Sequence, residues 1–148
     1  MKLSHTARIA APIEKVWAVV MEVPVAAGCV PGVSGVSAVS ADAFKGTLAV
    51  QLGPIRLSLS GDIAVTARDD AAHQASLRAD AKDARAGGSV RAKVDLALRE
   101  DGGGCELRID SDVQIGGRIG EFGQPVIQRK ADQVLTQFAD CLARTAAA

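Results

Sequence analysis

The sequence predicts an α+β protein in which a curved antiparallel β-sheet wraps around a long C-terminal helix. Two observations carry the prediction. Apolar and polar residues alternate with a period of two from residue 36 to residue 115, and helical spacing replaces that period after Gly116-Gly117. A sheet with one apolar face must bury that face, and the C-terminal helix is the only predicted element large enough to cover it.

The N-terminal part predicts an edge strand followed by a short amphipathic helix. Residues 2–10 can form the strand, and Pro12 suits the first position of a helix that runs to about Met21. Pro24 ends this helix, and residues 25–29 can add another short helical turn.

The central part predicts a meander of strands with one apolar and one polar face. Gly53-Pro54 and Asp101-Gly102 supply turns between strands. The inward positions are Phe44, Gly46, Leu48, Val50 and Leu52; Ile55, Leu57, Leu59, Gly61, Ile63 and Val65; Leu77 and Ala79; Val90, Ala92, Val94, Leu96 and Leu98; and Leu107, Ile109, Ser111, Val113 and Ile115.

The last predicted helix exceeds twenty residues. Pro125 lies inside its pattern, so the helix either kinks there or begins in earnest there. Length and the absence of a linker predict a single domain over residues 1–145, with residues 146–148 as a tail.

Composition excludes several classes of function. Seventeen basic and seventeen acidic residues give a formal net charge of zero, which disfavours nucleic-acid binding. The sequence has neither a run of about 18 apolar residues nor the layout of a signal peptide. We therefore expect a cytoplasmic protein.

The three cysteines, Cys29, Cys105 and Cys141, are an odd number at wide spacings, which favours reduced structural thiols over a disulfide framework or a metal site. Aromatic residues are scarce, with one Trp, three Phe and no Tyr, so a stacking platform for bases or sugars is not expected.

The inward face is predicted to lack catalytic groups. From residue 44 to residue 115 it contains no titratable side chain, whereas general acid–base catalysis needs one near the reacting atom. His5 and His73 are expected on the surface. A slip of one residue in strand register would reverse the faces, and Arg56, Arg78 or Arg91 inside the sheet would then favour an enzyme.

Many inward positions carry small residues, which leaves two interpretations open. Either Phe122, Phe138 and Trp17 fill the space in a tightly packed core, or an apolar ligand pocket lies between sheet and helix. The small residues are Gly46, Gly61, Ala75, Ala79, Ala81, Ala92 and Ser111. The spacing of Gly116, Gly117 and Gly120 fits no nucleotide-binding loop, and the glycine pair is expected to turn the chain from strand to helix.

Five short motifs occur in a recognisable order. They are Val16-Trp17, Gly28-Cys29-Val30-Pro31-Gly32-Val33, Gly53-Pro54-Ile55, Gly116-Gly117-Arg118-Ile119 and Phe122-Gly123-Gln124. This series resembles the CoxG family of carbon monoxide dehydrogenase proteins, which belongs to the START-like (SRPBCC) superfamily. The resemblance implies the helix-grip fold over nearly the whole chain.

The resemblance also implies a function. Such proteins accompany molybdenum hydroxylases of the carbon monoxide dehydrogenase type and act in their assembly or membrane attachment, with a quinone-type or other apolar ligand in the cavity. We therefore expect a non-catalytic protein without metal or cofactor, whose partners are a hydrophobic small molecule (a quinone or a lipid-like compound) and molybdenum hydroxylase subunits. The expected ligand-lining residues are Trp17, Leu48, Val50, Leu59, Ile63, Leu77, Leu96, Val113, Phe122 and Val126.

The sequence leaves two alternatives open: a small START-like cyclase or hydrolase, and an interaction module without a ligand. Longer family members continue into a hydrophobic C-terminal segment that binds the membrane, and this sequence ends at Ala148 without one. The expected location is the cytoplasm, with attachment to the inner face of the membrane left open.

Overall fold

The described residues fold into a seven-stranded antiparallel sheet with three α-helices on one face. A computed structural model describes residues 1–83, 85 and 87–147. The strands are β1 (Lys2–Ile9), β2 (Val33–Ser40), β3 (Ala43–Leu52), β4 (Ile55–Asp69), β5 (Gln74–Asp83), β6 (Gly88–Asp101) and β7 (Gly104–Gly116). The helices are α1 (Ile13–Met21), α2 (Val23–Gly28) and α3 (Gly123–Ala147), and a 3₁₀ helix (Gly117–Phe122) precedes α3.

The order of the strands explains how one face is covered. The sheet runs β1-β7-β6-β5-β4-β3-β2, so β1 and β2 form its two edges although they are consecutive strands. Helices α1 and α2 connect these edges across the face, and α3 returns from β7 to lie against β1 and α1. The predicted α+β class and the predicted hairpins are confirmed.

The inward and outward faces follow the predicted register. Phe44 lies opposite Ile63, and Leu77 lies opposite Val94. Arg56, Arg78 and Arg91 are exposed, so the faces are not reversed by a slip in register.

The turn from β7 into the 3₁₀ helix requires glycine, as the sequence predicts. Gly117 has a φ of +70°, and a Cβ atom there would lie 1.9 Å from the carbonyl oxygen of Gly87. Helix α3 begins at Gly123, so Pro125 falls in its first turn, where a missing N–H costs no helical hydrogen bond. The helix continues through Ala147 with Ala146 buried, and Ala148 lies outside the described residues.

The buried residues form two separate clusters. The larger one lies between α1, the second half of α3 and strands β1, β6 and β7, and includes the fully buried Val16, Leu107 and Leu142. The smaller one lies where the β3–β4 hairpin meets the 3₁₀ helix, around Leu57 and Ile119. This division leaves the middle of the covered face without a solid core.

Candidate functional site

The candidate site is a cavity of about 320 Å³ in the gap between the two clusters. Its floor is the inward face of β3 to β6, and its roof is residues 20–33, which comprise the end of α1, helix α2 and the start of β2. Phe138 of α3 closes one side. Leu59 of the smaller cluster and Leu96 of the larger cluster both line the cavity, which therefore lies between the two clusters.

Small residues create this volume. Gly46, Gly61, Ala75, Ala79 and Ala81 line the floor. Of the two interpretations that the sequence left open, the structure has a cavity rather than a tightly packed core, and the binding of a ligand there stays a prediction. Phe122 packs against the smaller cluster and Trp17 is buried in the larger one, so neither aromatic side chain fills the middle of the sheet.

The wall of the cavity is apolar. The lining residues are aliphatic or glycine, apart from Phe138, Met21 and the polar strand residues Thr47, Asp62 and Asp80, whose side chains are bonded or exposed on the outer face. The carboxylate of Asp80 points to the outer face, where it accepts a hydrogen bond from Arg91 Nε at 2.8 Å. Asp62 lies opposite Asp80 in the register and is exposed on the same side. Among the described lining residues there is no His, Cys, Lys, Arg or Glu.

Five of the residues expected to contact a ligand lie on this wall, namely Leu48, Leu59, Ile63, Leu77 and Leu96. The structure places the other five elsewhere. Val50, Phe122 and Val126 pack against the smaller cluster, Val113 is buried in β7, and Trp17 is buried in the larger cluster.

The roof was not predicted from the sequence. Its apolar side chains include Val20, Met21, Val23 and Val30, and from residue 23 onward it belongs to the one long stretch, residues 23–41, that contains no charged residue. In a chain with 23% charged residues, that stretch was the available signal. The loop after α2 is fixed to β3, because the Ala49 amide donates to the Gly32 carbonyl at 2.9 Å.

A disulfide bond between Cys29 and Cys141 joins the roof to α3, with the two Cα atoms 5.3 Å apart. The expectation of reduced thiols is therefore wrong for this pair, because the fold brings together residues separated by 112 positions. Cys105 is a free thiol, fully buried in β7, and burial raises its pKa.

Both histidines are half-buried and paired, which corrects the expectation of solvated surface residues. His73 Nε2 lies 2.8 Å from Glu14 Oε1, and its ring packs edge-on against Trp17 with 5.6 Å between the centroids. His5 faces α3, where its Nδ1 lies 3.0 Å from Asp132 Oδ1. Neither histidine reaches the cavity wall.

Residues near the turn between β4 and β5, close to His73, hold the single tryptophan in place. Trp17 Nε1 donates to Asp70 Oδ1 at 2.9 Å, and Arg68 Nε donates to the same oxygen. The hydrogen bonds from Arg68 and then from Trp17 hold the pKa of Asp70 below its ordinary value. The turn between β4 and β5 is thereby anchored to α1.

One buried carboxylate contradicts the expected absence of inward titratable groups. Asp83, at the end of β5, is only 4% exposed. Its oxygens accept hydrogen bonds from the backbone amides of Ser58 and Arg85. It thus satisfies one backbone donor of β4 and one of the β5–β6 turn, and it is not a lining residue of the cavity.

A larger depression of about 520 Å³ lies mainly on the polar outer face. Lys82 and Gln114 line it, together with the mutually paired Asp80 and Arg91. Because its side chains are solvated and partly neutralised, we take the apolar cavity as the candidate site.

The fold defines the class of protein. An 18% identical conserved protein from Geobacillus kaustophilus aligns with a TM-score of 0.88, over 99% of this chain and 95% of that one. A START superfamily protein from Mycobacterium smegmatis aligns with a TM-score of 0.70 at 13% identity, covering 99% and 97%. The Zhui aromatase/cyclase from Streptomyces sp. R1128 aligns with a TM-score of 0.65 at 14% identity, covering 99% and 93%. The chain therefore has the START-like helix-grip fold that the sequence predicted.

The family is narrower than the fold. The model of the CoxG family, the G subunit of carbon monoxide dehydrogenase, matches residues 6–147, so the chain belongs to this family. No curated protein matches the sequence. Within the described residues, no helix is both long enough and apolar enough to cross a bilayer.

Proposed function

We propose that this protein binds an apolar small molecule in the central cavity and serves as a non-catalytic accessory protein of a carbon monoxide dehydrogenase-type molybdenum hydroxylase. The observation that carries the proposal is the apolar cavity between the sheet and the helices, since ligand pockets are mostly apolar and largely pre-formed. Membership of the CoxG family supports the accessory role.

The size of the cavity limits the ligand. About 320 Å³ is near the lower end of the range of roughly 300–1,000 Å³ typical of small-molecule pockets. We propose a quinone ring or a lipid-like group of similar size, with any longer chain leaving the cavity past the roof. Burying such a group stabilises the complex mainly through the hydrophobic effect.

The cavity wall supports a role in binding rather than catalysis. The described lining residues present no general acid, general base or nucleophile to the cavity, because the carboxylates of Asp62 and Asp80 lie on the outer face and the hydroxyl of Thr47 is hydrogen-bonded to Ser60 there. The cyclase among the similar structures shares the fold, and fold alone does not transfer its activity. We place the protein in the cytoplasm, in contact with its enzyme or with the inner face of the membrane.

Titration with a quinone and a neutral dye tests the proposal. Duroquinone, which is fully substituted and cannot alkylate thiols, should quench the fluorescence of Trp17, which lies one helical turn from Val20 of the cavity wall. N-phenyl-1-naphthylamine should bind with enhanced emission and be displaced by duroquinone.

Two matched variants locate the binding. Ala79→Phe adds a ring to the cavity floor and should abolish uptake of both probes. Ala67→Phe adds the same ring at an exposed position of β4 and should leave uptake unchanged. Equal binding to both variants would refute the cavity as the site. If neither probe binds the unmodified protein while it co-purifies with a molybdenum hydroxylase, it is an interaction module without a ligand.

A further inference from the structure

We infer that the Cys29–Cys141 disulfide is a redox-sensitive latch on the cavity, which holds the roof against α3 and releases it on reduction. The inference rests on the proposed function, because it concerns access to the proposed ligand site. Cys29 immediately follows α2, and Ala26, Ala27 and Val30 around it line the cavity. Cys141 lies on α3, less than one turn from Phe138 of the cavity wall.

Between the end of α1 and the hydrogen bond from the Ala49 amide to the Gly32 carbonyl, the roof has few other means of attachment. Helix α2 has six residues, too few to be stable alone, and only Ala26 among them is buried. Val25 is 46% exposed. Because residues 23–41 contain no charged side chain, no side-chain ion pair can anchor this stretch.

The surroundings of the two sulfur atoms suit a bond that forms and breaks. Cys29 is only 6% exposed, whereas Cys141 is half-buried, so a small thiol can reach the bond from the α3 side. The hydroxyl oxygen of Thr145 lies 3.8 Å from the sulfur of Cys29 and 3.9 Å from that of Cys141. A hydroxyl at this distance can donate a weak hydrogen bond to a thiolate formed on reduction.

The chemistry is thiol–disulfide exchange. A small dithiol or a protein dithiol attacks the bond, gives up two electrons and two protons in total, and becomes a disulfide, while Cys29 and Cys141 become two thiols. The reverse reaction uses a small-molecule or protein disulfide as the oxidant. Disulfides in a reducing compartment are usually transient, catalytic or redox-sensing, which fits a latch rather than a permanent staple.

The consequence concerns the rate of exchange. While the disulfide is intact, the roof can open only against a covalent bond between residues that are 112 positions apart. When the disulfide is reduced, α2 can separate from α3 without unfolding of the sheet, because a local opening breaks only the few contacts that α2 makes. Ligand entry and release should then be faster in the reduced protein.

The test compares oxidised and dithiothreitol-reduced protein. Mass spectrometry after alkylation in denaturant should find one free thiol, Cys105, in the oxidised form and three in the reduced form. Stopped-flow release of N-phenyl-1-naphthylamine, a probe without redox chemistry, should be severalfold faster after reduction. Hydrogen exchange should rise in residues 20–33 and stay unchanged in β6 and β7.

Variants separate the latch from general effects of the reductant. Cys141→Ser should release the probe at the fast rate with or without dithiothreitol. Cys105→Ser, which removes the buried free thiol, should keep the difference between the two forms. If Cys141→Ser does not fold, reduction of the unmodified protein still decides the matter.

Each outcome of these measurements either supports or contradicts the latch or the proposed ligand site. Three free thiols in protein oxidised with excess glutathione disulfide would overturn the latch, as would equal release rates and equal hydrogen exchange in both forms. Absence of probe binding in both forms, with the disulfide present, would instead contradict the proposed ligand site. A severalfold faster release confined to the reduced form and to Cys141→Ser supports the latch.

Discussion

Gly61 in the floor of the cavity gives the sharpest test of how this sheet is built. A Cβ atom at this position would lie 1.8 Å from the carbonyl oxygen of Asp80 and 2.6 Å from the Cα atom of Ala81. Both atoms belong to the backbone of β5, so neither can rotate away. Glycine within a strand often marks such a close approach of another backbone.

The magnitude of the effect of Gly61→Ala follows from these distances. Real Cβ contacts are essentially never shorter than 3.0 Å, so β4 and β5 would have to separate by more than an ångström at this point. Overpacking of this kind costs about 1–3 kcal/mol, and more where backbone must move. We expect a loss of about 2 kcal/mol or more in the free energy of unfolding.

Urea unfolding followed by Trp17 fluorescence measures this loss. With a slope of roughly 1–3 kcal/mol per molar urea, the midpoint should fall by about 1 M. Gly28→Ala is the matched control, because no atom lies within 4 Å of a Cβ there and alanine favours helix α2. Its midpoint should stay unchanged or rise slightly. A Gly61→Ala midpoint equal to that of Gly28→Ala would refute the close approach of the two strands.

Two further predictions concern carboxylates. Asp70→Asn should reduce the difference between the melting temperatures at about pH 7 and about pH 3. Because the pKa of Asp70 is lowered in the folded protein, its contribution to stability is present above the ordinary value of 3.8 and is lost as the pH falls through the folded-state value. An equal difference in the variant would contradict the role of Asp70 with Trp17. Asp83→Ala should lower the free energy of unfolding in urea by about 1–3 kcal/mol, because the amide of Ser58 loses its buried acceptor. Asp140 is exposed, so Asp140→Ala should have little effect. Equal losses in the two variants would contradict the structural role of Asp83.

Local patterns sufficed for most of the fold. The two-residue period placed residues such as Phe44 and Leu107 on the inward face, because side-chain direction along a strand depends only on position parity. Helical spacing likewise identified α3. Parity also places Asp83 inward, in line with Ala79 and Ala81, but the inward positions identified on this strand stop at Ala81.

The site itself was predictable only in part. Parity cannot say how far along each strand the covering helices leave a gap, so Val50 and Val113 were expected on a wall that they do not reach. The disulfide and the partners of His5 and His73 depend on contacts across 59 to 127 positions, which no local pattern encodes. Prediction therefore identified the chemistry of the face better than the outline of the cavity.

The most direct test of ligand binding in the cavity is native mass spectrometry of the protein purified from its source. We expect a mass increment equal to one apolar molecule per chain, present in the unmodified protein and in Ala67→Phe and missing from Ala79→Phe. A protein that carries no such molecule and takes up none when offered quinones or lipids, or an increment that persists in Ala79→Phe, would contradict binding at this site.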